Sequence, residues 1–291
     1  MTKLTNKKAI PFTKMEGIGN DYVYINDLKE EIEDLAELAI QVSEQHFGIG
    51  SDGLIVLRPS NKADFQMRMF NLDGSEGRMC GNGIRCLAKF IYDNGLWDQE
   101  SIEIETLSGV KTVQLIFNDQ GEVTGARVNM GQAIIDTALI PITAEEDQWI
   151  NQAITIAGQA YQVTGVSMGN PHLVIFQENI KDLDLQALGP RFEYDTRFPE
   201  QINTEFAHVH NRQEISMRVW ERGSGETLAC GTGACAVAVA GVLNGLTEET
   251  VKVNLLGGTL TITWDRSDTG HVYMEGPART SFTGHYFPQV H

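Results

Sequence analysis

Two short segments of the sequence place a cysteine directly before Gly-x-Gly. The first, "MCGNGIRC", covers residues 79–86, and the second, "ACGTGACA", covers residues 229–236. A thiol at the start of a helix lies at the positive end of the helix dipole, which should lower its pKa and raise the thiolate fraction. The glycines leave backbone N–H groups open to a carboxylate. Each loop could therefore supply a base together with an anion-binding turn.

A pair of such loops could invert a carbon centre. If Cys80 and Cys230 face one substrate from opposite sides, one thiolate removes an α-proton and the opposite thiol returns one. The helix ends would stabilise the charge that develops on the substrate carboxylate, so neither pyridoxal nor a metal is needed in principle. The structural alternative is that both cysteines are small buried residues. We keep that interpretation for Cys86 and Cys235, which lie deeper in the same runs.

The two cysteines belong to a longer internal repeat with an offset of 150 residues. The same offset aligns Gly19–Asn20 with Gly169–Asn170, residues 67–71 with 217–221, Glu76 with Glu226, Ala88 with Ala238, and Asn94–Gly95 with Asn244–Gly245. Separated segments that share one offset without a gap indicate two homologous halves. We expect each half to present its cysteine from the same structural position, with the active site in a cleft between the halves.

The spacing of apolar residues predicts the helices and strands that position these loops. Residues 32–48 place Ile32, Leu35, Ala39 and Val42 on one helical face. Helices are also predicted after each cysteine, ending at Asn-Gly. The run 234–243 would be a helix buried on every side, with a strand as the alternative. Strand-like segments are 53–57, 65–70, 110–117, 121–130, 161–166, 172–176, 214–221 and 258–264.

These elements predict an α+β fold with two pseudo-symmetric halves. Each half should be a mostly antiparallel curved sheet or barrel around a buried central helix. We expect the halves to cover residues 9–131 and 132–275, with 276–291 as a candidate return to the first half.

Composition restricts the function classes. The chain has 291 residues, a formal charge of −17 and a pI near 4.8, so it lacks the basic surface that nucleic acids require. The N-terminal lysines precede no apolar stretch of signal-peptide length, and the apolar run 234–243 is too short to cross a bilayer. We expect a cytoplasmic protein with reduced thiols. The cysteine spacings fit zinc poorly, so no metal is predicted.

At these residues the chain resembles the diaminopimelate epimerase family, whose members are cofactor-independent racemases with two cysteines. The matching segments span most of the chain: 15–26, 47–54, "FNLDGSEGRMCGNGIRC" (70–86), 166–176, 203–206 and "ERGSGETLACGTGACA" (221–236). The combination of "CGNG" with "ERGSGETLACGTGA" is highly specific to the family. Proline racemase relatives share the second motif but usually have His where Asn82 stands.

The resemblance implies interconversion of LL- and meso-diaminopimelate for lysine and cell-wall precursors, without a cofactor, in a possible homodimer. It assigns proton transfer to Cys80 and Cys230, and tuning of their pKa values to His172 and Glu221. The reacting carboxylate would bind at Gly81, Asn82, Gly231 and Thr232, and the distal end of the substrate at Asn20, Asn71, Asn170, Asn203, Glu221 and Arg222. Arg222 could clamp a carboxylate with two hydrogen bonds, and asparagines could bind both carboxylate and ammonium.

Structural alternatives exist for these positions. Asn20 and Asn71 could be turn residues, Asn170 could shape a bend before Pro171, and His172 could be a core histidine. Glu221 and Arg222 could be a surface ion pair. Asp21, Asp52 and Asp73 are interpreted as turn caps. Two positions depart from the usual family pattern: Gly53 stands where Gln is common, and Glu16 where His is common.

Other classes remain open from the sequence. A different racemase on the same scaffold would not need the distal residues. A dithiol redox protein would act through a Cys80–Cys230 disulfide, and a zinc-stabilised module would hold a metal. Neither of the last two explains Arg222, the asparagines or the glycines.

Overall fold

Four helices and eighteen strands form within residues 9–288, the part of the chain that this computed structural model describes. The helices are α1 (Leu35–Ser43), α2 (Gly81–Asp93), α3 (Leu185–Glu193) and α4 (Gly231–Leu243). The strands are β1 (Ile10–Gly17), β2 (Asn20–Asn26), β3 (Gly53–Arg58), β4 (Phe65–Asn71), β5 (Glu76–Gly77), β6 (Ser101–Thr106), β7 (Gly109–Phe117), β8 (Val123–Gln132), β9 (Gln152–Ile156), β10 (Gln159–Ser167), β11 (Pro171–Phe176), β12 (Asn203–Asn211), β13 (Glu214–Glu221), β14 (Gly225–Glu226), β15 (Thr250–Leu255), β16 (Gly258–Trp264), β17 (His271–Pro277) and β18 (Arg279–Tyr286).

The chain divides into two compact units. The described residues up to Arg127 and from Pro277 onward form unit 1, and Val128–Gly276 form unit 2. The last strand, β18, pairs antiparallel with β1 and so lies in unit 1. The predicted return extends to residue 291, and its last three positions lie outside the described residues.

The two units repeat one order of strand pairing. In unit 1 the order is β18–β1–β2–β3–β4–β6–β7. In unit 2 it is β9–β10–β11–β12–β13–β15–β16–β17. Each ladder contains two parallel pairs at matching places, namely β2–β3 and β4–β6 in unit 1 and β11–β12 and β13–β15 in unit 2. The α+β, mostly antiparallel prediction is therefore confirmed.

One helix lies at the centre of each unit. In unit 1, α2 packs on β1, β2, β3 and β7, which belong to widely separated parts of the ladder, so the sheet curves around the helix. In unit 2, α4 packs in the same way on β10, β11, β12, β13, β15 and β16. The apolar run 234–243 is helical, as preferred over a strand, and is buried almost throughout. Both helices end at glycines with positive φ, Gly95 (67°) and Gly245 (69°).

The outer helices only partly follow the prediction. The helix predicted for 32–48 is shorter, because Asp34 caps its start by accepting from Glu37 N and extended backbone at Glu44 ends it. Ile32 therefore precedes the helix. Helix α3 was not predicted, because its Gly189 and Pro190 weaken the helical pattern in the sequence. Asp184 caps α3 through Ala187 N, 150 residues after Asp34.

A matching ion pair precedes each cysteine loop. Arg68 binds Glu76 with two hydrogen bonds of 2.7 and 2.9 Å, and Arg218 binds Glu226 with two of 2.7 and 3.0 Å. These pairs join β4 to β5 and β13 to β14, so the same paired geometry directs the chain into both loops. None of the helices in residues 9–288 is long and apolar enough to cross a membrane.

Candidate active site

Cys80 is the residue that caps the N-terminus of α2. Its backbone is extended (φ −126°, ψ 117°), and its Sγ accepts a hydrogen bond from Gly83 N at 3.2 Å. The same sulfur lies 3.3 Å from Asn20 Oδ1, to which the thiol donates. Asn20 in turn donates to Asp52 Oδ2 at 2.7 Å. The predicted site residues Cys80 and Asn20 are thus in contact.

Cys80 is partly buried, and desolvation is the largest influence on the pKa of its thiol. Desolvation raises the pKa of the thiol above its ordinary value, although Gly83 N–H, the Tyr22 hydroxyl and the Arg85 guanidinium act in the opposite direction. The sequence-based expectation of a lowered pKa is therefore wrong for this thiol, because desolvation of a buried thiolate outweighs the helix terminus. The N–H groups remain in place to stabilise a thiolate once one forms.

Arg85 holds Asn82 in place in the loop that follows Cys80. Its Nη1 donates to Asn82 Oδ1 at 3.0 Å and to Gly81 O at 3.3 Å, and its Nε donates to Pro277 O at 3.2 Å. Both Arg85 and Asn82 are buried. The Asn82 side-chain oxygen is therefore held by the guanidinium.

Cys230 occupies the same position at the start of α4, with φ −121° and ψ 106°. Its sulfur lies 3.6 Å from Thr232 Oγ1. Burial, together with the carboxyl group of Glu221, raises the pKa of this thiol well above its ordinary value, which corrects the expectation for the second loop as well. Thr232 and Gly233 N–H act in the opposite direction.

A hydrogen-bonded group of side chains lies beside Cys230. Asn170 donates to Thr232 Oγ1 at 3.2 Å, and Asn170 Oδ1 lies 3.1 Å from His172 Nε2. The other ring nitrogen, His172 Nδ1, lies 2.6 Å from Glu205 Oε1. His172 and Glu205 are fully buried. Unit 2 therefore brings Asn170, His172 and Thr232 together, and adds Glu205, which the sequence analysis did not select.

The remaining predicted residues of unit 2 lie on neighbouring strand ends. His172 pairs with Asn203, and the pairing of Thr204 with Trp220 places Asn203 next to Glu221. Asn203 Oδ1 accepts from Arg222 N at 3.0 Å, and its amide donates to Pro171 O at 2.8 Å. Glu221 accepts a hydrogen bond from Thr227, and Arg222 Nη1 donates to Glu200 O at 2.9 Å.

The edge of unit 1 has the same layout with different side chains. Tyr22 pairs with Gly53 and Gly53 with Asn71, in the positions that His172, Asn203 and Glu221 hold in unit 2. Asn71 donates to Ser75 Oγ at 3.0 Å, within a turn where Asp73 also accepts from Ser75. Tyr22 is a second residue that the sequence analysis missed. The repeat offset itself identifies it, since 22 and 172 differ by the repeat length.

Gly53 leaves no space for the glutamine that is common at its position. A Cβ there would lie 2.1 Å from the Phe70 carbonyl oxygen and 2.9 Å from the Tyr22 ring. The other unusual residue, Glu16, accepts from Gly19 N at 3.0 Å and so supports the turn before Asn20.

Within residues 9–288 all four cysteines are free, and no group of three or more His, Cys, Asp or Glu side chains could hold a metal ion.

Comparisons with known proteins show the family of this chain. The family model of diaminopimelate epimerase matches residues 12–135 and 164–281. The chain belongs to the diaminopimelate epimerase family. A diaminopimelate epimerase of Desulfovibrio desulfuricans is 53% identical over 285 residues, covering 96% of this chain and 99% of that protein. One of Acetivibrio thermocellus is 49% identical, covering 94% and 97%. By this family membership the chain is an enzyme of the isomerase class.

Solved structures share the fold at low sequence identity. A hydroxyproline epimerase of Agrobacterium vitis with bound trans-4-hydroxy-L-proline has a TM-score of 0.68 and 12% identity, covering 96% of this chain and 91% of that chain. A phenazine biosynthesis protein of the PhzF family from Bacillus anthracis has a TM-score of 0.69 and 15% identity, covering 97% and 100%. At this identity the likeness shows the two-half fold alone.

Proposed function

We propose that this enzyme interconverts LL- and meso-diaminopimelate by two-base proton transfer between Cys80 and Cys230. The observation that carries the proposal is the matched pair of thiols, each on the residue at the N-cap position of a central helix. The curated relatives with this name, about half of whose residues are identical, support the substrate.

The reaction needs one thiolate and one thiol. The thiolate takes the α-proton, so the C–H bond breaks, an S–H bond forms and the electron pair moves into the substrate carboxylate. The opposite thiol then gives its proton to the other face of the carbon and becomes the thiolate. The backbone N–H groups at Gly81–Asn82 and Gly231–Thr232 would stabilise the charge on the carboxylate. The proposal requires the two units to present their cysteines to one substrate in a cleft.

The distal end of the substrate would bind at the strand ends. We assign it to Asn20, Asn71, Asn170, Asn203, Glu221 and Arg222, with Arg222 for the carboxylate and Glu221 for the ammonium. His172 and Glu221 would tune the cysteine pKa values. We further propose that residues 9–131 and 132–275 are the duplicated halves, and that the enzyme acts without cofactor in the cytoplasm, as a homodimer, in lysine and cell-wall precursor synthesis.

The decisive experiment replaces the cysteines one at a time. Cys80→Ala and Cys230→Ala should each abolish turnover of LL-diaminopimelate, followed by proton NMR in D2O under reducing conditions. Loss of the α-proton signal with growth of the meso isomer is the result expected for the wild type. Cys86→Ala and Cys235→Ala are matched controls, since both are buried cysteines of the same helices and should retain activity.

Two results would contradict the proposal. An active Cys80→Ala enzyme would rule out the two-base mechanism. A folded, reduced wild type that leaves the spectrum unchanged would rule out the substrate. Turnover of proline or other amino acids in the same assay would then favour another racemase.

A further inference from the structure

The hydrogen bonds of His172 determine how many protons its ring and the Glu205 carboxyl group hold together. Asn170 donates through its amide nitrogen to Thr232, so its oxygen faces His172 Nε2. An amide oxygen only accepts, so Nε2 must carry a hydrogen. One further proton then joins Nδ1 to Glu205 Oε1, which lie 2.6 Å apart. Whether that proton is on the ring or on the carboxyl group, the pair as a whole is neutral.

The surroundings favour a protonated Glu205. Burial raises the pKa of its carboxyl group, opposed mainly by His172. Within the described residues, its second oxygen Oε2 is buried without a hydrogen-bond partner, which would be costly for an anion. A carboxylic acid that donates to Nδ1 satisfies the ring and holds its other hydrogen on Nε2.

This pair is connected to the sulfur of Cys230. His172 orients Asn170, and Asn170 donates a hydrogen bond to Thr232 Oγ1. The Thr232 hydroxyl therefore accepts from Asn170 and can donate its own hydrogen to Cys230 Sγ, 3.6 Å away. A Cβ at Gly233 would lie 2.7 Å from Glu205 Oε1 and 3.3 Å from Cys230 Sγ, so only glycine leaves space for the carboxyl group beside the cysteine.

Only one cysteine loop has this arrangement. At the repeat offset, Ile55 stands in place of Glu205 and Tyr22 in place of His172. A Cβ at Gly83 would meet the Ile55 methyl group at 2.5 Å, which shows that Ile55 occupies the matching place below Cys80.

We propose that Glu205 is a positioning residue for Cys230: by sharing a proton with His172 it orients Asn170 and Thr232 so that a hydroxyl hydrogen faces the sulfur. The inference rests on the proposed two-cysteine reaction. The groups that face Cys230 are Glu205 on β12, Glu221 on β13 and Thr232 on its own helix, and His172 on β11 contacts Glu205.

Three variants test it. Glu205→Gln keeps a donor for Nδ1 and should retain kcat, whereas Glu205→Ile, which copies the first half, should lower kcat by about 100-fold with a much smaller change in KM, because the chain to Thr232 is misplaced. Ile55→Val is the control in the other unit and should behave as wild type. Nitrogen NMR of the histidines should show His172 with hydrogen on Nε2 in wild type and Glu205→Gln, and lose that signature in Glu205→Ile.

A second readout does not depend on the substrate. The rate of iodoacetamide alkylation at Cys230, followed by peptide mass spectrometry against pH, should be unchanged in Glu205→Gln and slower in Glu205→Ile, with Cys80 as the internal reference. Faster alkylation in Glu205→Gln would mean that Glu205 acts as an anion on the thiol, and would overturn the proposal. So would wild-type kcat and alkylation in Glu205→Ile.

The outcomes separate this inference from the proposed function. If the wild type fails to turn over diaminopimelate, the alkylation and NMR results still decide the role of Glu205. If Glu205→Ile does not fold, Thr232→Val replaces it: slower Cys230 alkylation supports the hydrogen-bond chain, and an unchanged rate overturns it.

Discussion

Two cysteines at equivalent backbone positions have different neighbours. Cys80 lies near the Tyr22 hydroxyl and the Arg85 guanidinium, which favour its thiolate, whereas Cys230 lies near the carboxyl group of Glu221, which opposes it. Burial raises the pKa of both thiols. A reaction that needs one thiolate and one thiol benefits from such inequality, because the two protonation states are then assigned to different residues.

At the residue scale we predict that Tyr22→Phe lowers the fraction of Cys80 that is present as thiolate. The Tyr22 hydroxyl lowers the pKa of Cys80 by hydrogen bonding, so its removal raises that pKa and reduces the thiolate present at a given pH. The acidic limb of kcat/KM should move to higher pH in the direction in which Cys80 is the base. At neutral pH kcat/KM should fall by about tenfold, because a hydrogen bond to a charged group contributes about 1.5–3 kcal/mol.

The measurement is a pH profile in both directions, from LL- and from meso-diaminopimelate. Tyr161→Phe, which removes a phenolic hydroxyl group from unit 2, is the control and should leave the pH profile of kcat/KM unchanged. A profile of Tyr22→Phe that moves to lower pH, or does not move, would show that the hydroxyl does not stabilise the thiolate.

At the element scale, α1 and α3 are the same helix adapted to different partners. They occupy positions 150 residues apart, and Ala39 in α1 corresponds to Gly189 in α3. The reason lies in the sheet below: a Cβ at Gly189 would lie 2.1 Å from the Trp220 ring, whereas the matching sheet residue in unit 1 is Phe70. Trp220 Nε1 also donates to Glu193 at the end of α3, at 2.7 Å.

We therefore predict that Gly189→Ala destabilises the protein. Helix propensity alone favours alanine by about 1 kcal/mol. The clash with Trp220 should outweigh this gain and lower the free energy of unfolding by about 1–3 kcal/mol, as overpacked cores do. Urea unfolding measures the change, and Ala39→Gly in α1 is the reciprocal control, expected to destabilise through propensity and the loss of a buried methyl group. A more stable Gly189→Ala variant would contradict the packing.

At the scale of the whole molecule, the C-terminal strand completes the N-terminal unit. β18 pairs with β1 along most of its length, from Ile10 opposite Tyr286 to Glu16 opposite Arg279. The chain thus leaves unit 1 within β8 and returns at the last residue of β17. Unit 1 therefore depends on residues from both ends of the chain.

We predict that, in a chain ending at Ala278, the backbone amides of unit 1 are the first to lose protection against hydrogen exchange. Without β18, the hydrogen-bonding edge of β1 is exposed. Amide hydrogen exchange followed by mass spectrometry should increase in β1 and β2 and stay near wild type in β10 and β11. A chain shortened only to Pro288, which keeps β18, is the control. Equal protection of β1 in both shortened chains would show that β18 contributes little.

The features that depend on local pattern and repetition could be predicted from the order of the residues. The offset of 150 residues, the helices after both cysteines and the glycines that end them follow from residue types in order, because capping and periodicity act over a few residues. The family also follows from local motifs, and its model matches most of the chain. The helix with internal Gly189 and Pro190 was missed because packing on Trp220, rather than propensity, stabilises it.

The tertiary structure alone decided what surrounds each thiol. Glu205 reaches Cys230 from β12, and Tyr22 reaches Cys80 from β2, neither within the segment that carries the cysteine. The helix terminus visible in the sequence predicted lowered pKa values, whereas burial by the surrounding sheet raised both. Desolvation depends on everything that encloses a group, and for that reason only the folded chain could show that the two loops differ.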